Sequence, residues 1–118
     1  MTVAVSLTEQ AFVYVIGHRD GPQKVGYSID PPKRVRGIRD DANDPSLPIY
    51  RAFPVWRYWA GQAERMAHWL LREHHYRNEW FNCTPEQAAE AARNAAGLNY
   101  EGADWLPTTC RPNALYDE

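Results

Sequence analysis

Six residues carry groups suited to chemistry at a phosphate: Tyr14, Lys24, Gly26, Arg34, Glu64 and His68. Tyr14 lies in Phe-Val-Tyr-Val-Ile, a run whose β-branched and aromatic residues favour a strand. His18-Arg19-Asp20-Gly21-Pro22 is a polar breaker of hairpin-loop length, and Gln23 to Ser28 returns as a second strand. Pairing the two strands brings Tyr14 near Lys24 and Gly26. A phenol, an ammonium and a guanidinium then gather around one glycine, where backbone can approach a ligand closely. That grouping suits an anionic phosphate better than a sugar or an apolar guest. Glu64 and His68, four residues apart, present a carboxylate and an imidazole one helical turn apart. Taken singly, each residue has a plainer reading. A strand tyrosine is usually core or rim, Lys24 a solvated strand residue, Gly26 a bulge or close packing, Arg34 a solvated helix residue, and Glu64–His68 a surface pair. Only their joint order carries the chemistry.

The elements that must position these groups are legible in outline. Asp30 before Pro31-Pro32 is an N-cap signal, and Lys33 to about Asp41 reads as a short helix with a basic face of Lys33, Arg34, Arg36 and Arg39. Its N-terminal dipole faces the hairpin mouth. Residues 43–48 read as loop, and Ile49 to Trp59 as a third strand, with Pro54 marking an edge or a bulge. Gly61 to Tyr76 reads as the strongest helix, with Ala63, Met66, Ala67, Leu70 and His74 on its buried stripe. Glu64, His68, Leu71 and His75 fall on the adjoining stripe. Asn78 to Asn82 reads as extended, with Trp80-Phe81 as a hydrophobic plug. Thr84-Pro85-Glu86-Gln87 is a capping-box start for an alanine-rich helix that Gly97 ends. An edge strand is expected at Val3 to Ser6, and a return of Trp105 and Leu106 onto the domain is expected from the tail. The expected fold class is α+β, a small central three-stranded antiparallel sheet flanked by helices, with one domain over 1–97 and an irregular tail over 98–118.

Composition bounds the function classes. The chain has 118 residues, enough for one domain with a modest core. Its formal charge of −2 gives no global attraction to a polyanion, so any such contact must come from a local basic patch. Cys83 and Cys110 lack metal-ligand spacing and read as free thiols in a reducing compartment. No apolar run approaches the roughly 20 residues of a membrane span. Without a secretory leader pattern at the start, the expected location is the cytoplasm, away from membrane.

The order strand, strand, basic helix, strand, Glu-bearing helix resembles the GIY-YIG nuclease superfamily. Val13-Tyr14-Val15 looks like the first half-motif, and Lys24-Val25-Gly26 looks like the second, with lysine where many members have tyrosine. Arg34, eight residues after Gly26, is similar to the family's arginine, and Glu64 to its metal-binding glutamate. The phage-associated branch is the nearest likeness. Its lysine, its Glu-x-x-x-His and its Glu-Trp-Phe-like segment correspond to Lys24, to Glu64 with His68, and to Glu79-Trp80-Phe81. The resemblance covers residues 11–95. It departs at Phe12-Val13, where the family has Gly-Ile, and either Asn78 or Asn82 stands near the place of the family's late asparagine.

The resemblance implies hydrolysis of phosphodiester bonds in DNA, with RNA left open. Tyr14 would be the general base, its pKa lowered from about 10 by a neighbouring cation. Lys24 and Arg34 would stabilise the phosphate. Glu64 would hold one Mg²⁺ or Mn²⁺, an ion that needs only one or two carboxylates. His68 would move a proton or bind phosphate. Gly26, Arg36 and Arg39 would contact the substrate. One such site cuts both strands as a homodimer or in two nicks. The alternative is an interaction or nucleic-acid-binding module on the same fold without catalysis.

Overall fold

A computed structural model describes the backbone of residues 10–101 and the side chains of residues 10–97. The expected edge strand at Val3 to Ser6, the expected return of Trp105 and Leu106, and Cys110 lie outside the described residues. An inner strand of the sheet, β1 (Gln10–Ile16), is apolar at nearly every position rather than alternating. Such a run needs cover on both faces, and β1 has it. Ala11, Val13 and Val15 join one buried cluster, while Phe12, Tyr14 and Ile16 join another on the opposite face. β2 (Gln23–Ser28) pairs antiparallel with β1, placing Tyr14 opposite Gly26 and Ile16 opposite Lys24.

Helix α1 (Pro31–Ala42) starts as its sequence dictates. The Asp30 carboxylate accepts from the Lys33 backbone N–H at 3.2 Å, and the two prolines occupy positions where an N–H would have no helical partner. It ends at Asn43, whose left-handed φ of 53° asparagine tolerates well. β3 (Ile49–Trp56) pairs antiparallel with the other side of β1 and is an edge of the sheet among the described residues. The edge position explains how Pro54 is accommodated in a strand. A 3₁₀ turn takes over Arg57–Trp59, which had been expected to extend the strand.

Helix α2 (Ala60–Leu70) is shorter than the periodicity suggests. A 3₁₀ turn follows at Arg72–His74, and His75–Arg77 becomes a strand, β4, rather than further helix. β4 pairs with the two-residue β5 (Trp80–Phe81), which in turn pairs with β2. Among the described residues the sheet therefore has five strands, in the order β3-β1-β2-β5-β4, rather than three. Its fold class is α+β, as expected. Pairing overrides helical periodicity here: Asn82 donates its N–H to the His74 carbonyl at 2.7 Å, and the Phe81 ring sits between those of His68 and His75.

The buried stripe of α2 is Ala60, Ala63 and Ala67, continued by Leu71 just past its end. Met66 and Leu70, expected inside, are 40% and 39% exposed, and His74 is only half-buried. The alanines let α2 approach both the sheet and α3 (Pro85–Glu101) closely. The capping box at the start of α3 forms in both directions. Gln87 donates its N–H to Thr84 Oγ1 at 3.1 Å, and Thr84 donates its N–H to Gln87 Oε1 at 2.9 Å. α3 continues through Gly97 to Glu101. A glycine inside a helix costs only about 1 kcal/mol, too little to stop one so well packed before it.

Candidate active site

The sheet is incomplete at one place, and the candidate residues gather there. β5 pairs with β2 only at Gln23 and Lys24. From Val25 onward, no strand among the described residues lies beside the outer edge of β2. Its polar groups are met instead by the Glu79 carbonyl, which accepts from the Val25 N–H at 3.1 Å, and by two side chains of α2. His68 Nε2 donates to the Val25 carbonyl at 2.7 Å, so that nitrogen carries the proton. Glu64 accepts from the Tyr27 backbone N–H. The pair at the border of the buried face of α2 thus clasps the open edge of β2.

Tyr14 reaches the same edge from the other face of the sheet. Gly26 makes this possible. A Cβ built on Gly26 would fall against the Tyr14 hydroxyl and lie 2.7 Å from the ring carbon that bears it. The glycine is thus required for space rather than for an unusual φ. The Tyr14 ring lies across β2 in this notch, 1% exposed. Arg34, on the first turns of α1, hydrogen-bonds the Tyr14 hydroxyl. The Lys24 ammonium is 2.9 Å from a Glu79 carboxylate oxygen and 5.7 Å from the centre of the Trp80 ring.

The electrostatics tie these groups into one neighbourhood. Burial raises the Tyr14 phenol above its ordinary 10.0. Arg34 opposes the rise, while the negative charges of Glu79 and Glu64 add to it. This corrects the expectation of a lowered phenol: the cation is present, but desolvation outweighs it. Burial also raises the Glu64 carboxyl, and Glu79 pushes it the same way. His68 and Lys24 pull it down. Tyr14, Lys24, Arg34, Glu64 and His68 therefore share one edge of the molecule.

Other candidates fall elsewhere. Arg39 donates its Nε to the Leu47 carbonyl at 2.7 Å, which holds the loop after α1. Arg36 is exposed on α1. Asn78 takes a left-handed φ of 51° in the turn joining β4 to β5, and its carbonyl faces the His75 ring nitrogen at 3.0 Å. Asn82 lines a separate surface pocket with Arg19 and Cys83. Burial raises the Cys83 thiol to about 11, so at neutral pH it carries no thiolate to speak of.

Sequence reasoning did not single out Glu79 as a partner. The available signal was indirect. A lysine on an otherwise buried strand needs a counter-charge, and Glu79 stands beside the Trp80 that shields it. What remains is a cationic pair, a buried phenol and two carboxylates around one notch. Such a set can bind a phosphate, polarise it and exchange a proton with it.

A family model described as the T5orf172 domain matches residues 11–96. That span takes in every element from β1 to most of α3. Comparison with curated proteins and with solved structures finds no match. No helix among the described residues is long and apolar enough to cross a membrane.

Proposed function

Since this chain belongs to the T5orf172 domain family, a phage-associated group linked to nucleic acids, we propose that it is a divalent-metal-dependent nuclease of the GIY-YIG type that hydrolyses phosphodiester bonds in DNA. The observation that carries this reading is the meeting of Tyr14, Arg34, Lys24 and Glu64 at the open edge of β2. Arg34 offers a planar fork to the phosphoryl oxygens, and Lys24 adds a compact charge beside it. Glu79 holds Lys24 in place until substrate arrives. Tyr14, once deprotonated, accepts the proton of the attacking water. His68 fixes the edge of β2 and so the height of Glu64.

The donor set fits a hard divalent cation. Glu64 is half-buried, and a second carboxylate presses on it, so it gains from a positive charge nearby. Among the described residues, no group of three or more His, Cys, Asp or Glu forms a cage. Glu64 would thus hold Mg²⁺ or Mn²⁺ largely through the ion's own waters, a mode Mg²⁺ favours. When bound, the ion supplies positive charge at the leaving oxygen.

The test is cleavage of single-stranded, duplex and branched DNA by purified protein with Mg²⁺ or Mn²⁺. Glu64→Ala and Arg34→Ala should each lower the rate by about 10²–10³-fold, the scale for removing one transition-state charge partner. A chelator should abolish cutting. Cutting that survives either substitution ends the role assignment. A second reading, a DNA-binding module without chemistry, draws on the raised Tyr14 phenol, which keeps its proton at neutral pH. Salt-sensitive binding with no cleavage in either metal would select it.

A further inference from the structure

The phosphate-binding pair also lines a cleft whose other walls the chemistry above does not use. It has a volume of about 490 Å³ and runs between α1 and the β4–β5 hairpin. Lys24 and Arg34 line it, together with Arg77, Tyr76, Trp80 and Asp41. Among the described residues, α1 is the one helix on this face of the sheet, and the cleft opens between it and the hairpin. Its charge is graded. Arg34 and Asp41 stand seven residues apart on α1, about 10 Å along the axis at 1.5 Å per residue. Lys24 and Arg34 make the end near Tyr14 cationic, Arg77 adds a cation on the hairpin wall, and Asp41 toward the far end of α1 can accept from an amino group. Between them stand two aromatic rings. Trp80 packs its inner side on the buried cluster around Tyr14, and Tyr76 is 54% exposed with no core to fill.

We propose that this cleft is a subsite for one unpaired nucleotide. The phosphate sits at Lys24 and Arg34, and the base stacks against Trp80 and Tyr76 with an exocyclic amine toward Asp41. The inference deepens the proposed nuclease reading, from which it takes the position of the phosphate, and it names the substrate class: single-stranded or frayed DNA rather than an uninterrupted duplex. A base inside a duplex is already stacked on its neighbours and cannot enter between a helix and a hairpin. A free strand offers both a π-face and a backbone charge to this cleft.

The test is binding, measured by fluorescence anisotropy of a short labelled DNA strand and of its blunt duplex, with chelator present so that no cutting occurs. The single strand should bind at least about tenfold more tightly, and Trp80→Ala should remove about tenfold of that affinity, the scale of one base–aromatic stack. Trp80→Phe should restore most of it. Because Trp80 also touches the core, Tyr76→Ala provides an independent arm on an exposed ring and should weaken the single strand more than the duplex. Equal affinity for strand and duplex overturns the proposal, as does single-strand affinity untouched by both Trp80→Ala and Tyr76→Ala. Metal-dependent cutting of duplex without any strand preference would leave the nuclease reading standing and this inference fallen. A strand preference lost in both variants, with no cutting in any metal, would do the reverse.

Discussion

The two faces of the sheet are both well buried and are built from opposite materials. On one face, α2 and α3 lay a floor of alanines against Val13, Val15, Val25, Phe53 and Val55. Small side chains bring two helices close, and the described side chains that close this layer are almost all apolar. On the other face, α1 is the one helix among the described residues over Phe12, Tyr14, Ile16 and Ala52. That layer includes a phenol, adjoins the buried Lys24 and opens into a cleft. The interior of the first face can be optimised for packing because the polar residues of α2 at the site, Glu64 and His68, stand at its border rather than within it. The second keeps polar groups desolvated, which raises the Tyr14 phenol and makes each charge near it count for more. One side of β1 thus chiefly stabilises the fold, and the other holds Tyr14 beneath Arg34, while Glu64 and His68 reach the same edge of β2 from the border of α2.

The contrast breaks if a packing lesion on the first face alters chemistry as much as stability. Phe53 is fully buried there, with the Arg93 guanidinium 5.1 Å from its ring centre. Phe53→Ala should cost about 3–5 kcal/mol of stability, the usual range for emptying a buried aromatic site. Denaturant unfolding measures it. The rate per folded molecule should stay close to that of the parent, because no candidate side chain leans on Phe53.

Gly26→Ala sharpens the same contrast from the other side. The added methyl collides with the Tyr14 hydroxyl and ring. Overpacking of this kind costs about 1–3 kcal/mol, less than the Phe53 cavity. Its effect on cutting should nonetheless be far larger, since the ring that must shift carries the proposed base. Thermal unfolding and cleavage rates measured on both variants give the comparison. Equal loss of activity in the two would remove the distinction between the faces.

How much of this was legible in the sequence depends on how local each cause is. The β1–β2 hairpin, the Asp30 cap and the Thr84–Gln87 box were readable because their partners lie within a few residues. The end of α2 was not. Its apolar period runs on through His74, but the chain leaves the helix at Leu71 because β5 offers His75 and Arg77 a pairing partner. β4 and β5 are too short to show a period of their own. The meeting of Tyr14 with Lys24 and Gly26 followed from register alone. The direction of the Tyr14 shift did not, because it depends on how completely α1 and Trp80 cover the ring. The Lys24–Glu79 pair spans 55 residues of chain, and no local pattern announces it.

The raised phenol gives the next prediction. If deprotonated Tyr14 is the base, its active fraction at neutral pH is small and grows as pH rises toward a pKa above 10.0. The cleavage rate should then climb about tenfold per pH unit from neutral into the alkaline range. Tyr14→Phe should cut slowly and lose this slope. A flat profile in the parent protein would remove Tyr14 from proton transfer and leave it as a hydrogen-bonding post for Arg34.

The smallest effect belongs to the far end of the structural face. Thr84 closes the capping box of α3, and Thr84→Ala leaves the Gln87 backbone N–H without its side-chain acceptor while the Thr84 N–H keeps Gln87 Oε1. Half a box is lost, which should cost about 1 kcal/mol, recovered in Thr84→Ser. Helix α3 packs on the face opposite Tyr14, so neither DNA binding nor the rate per folded molecule should change. The variant is informative because it destabilises without touching either cluster directly. A fall in cutting beyond what the unfolded fraction explains would mean that strain in α3 is transmitted through β1 to Tyr14, and that the two faces act as one body.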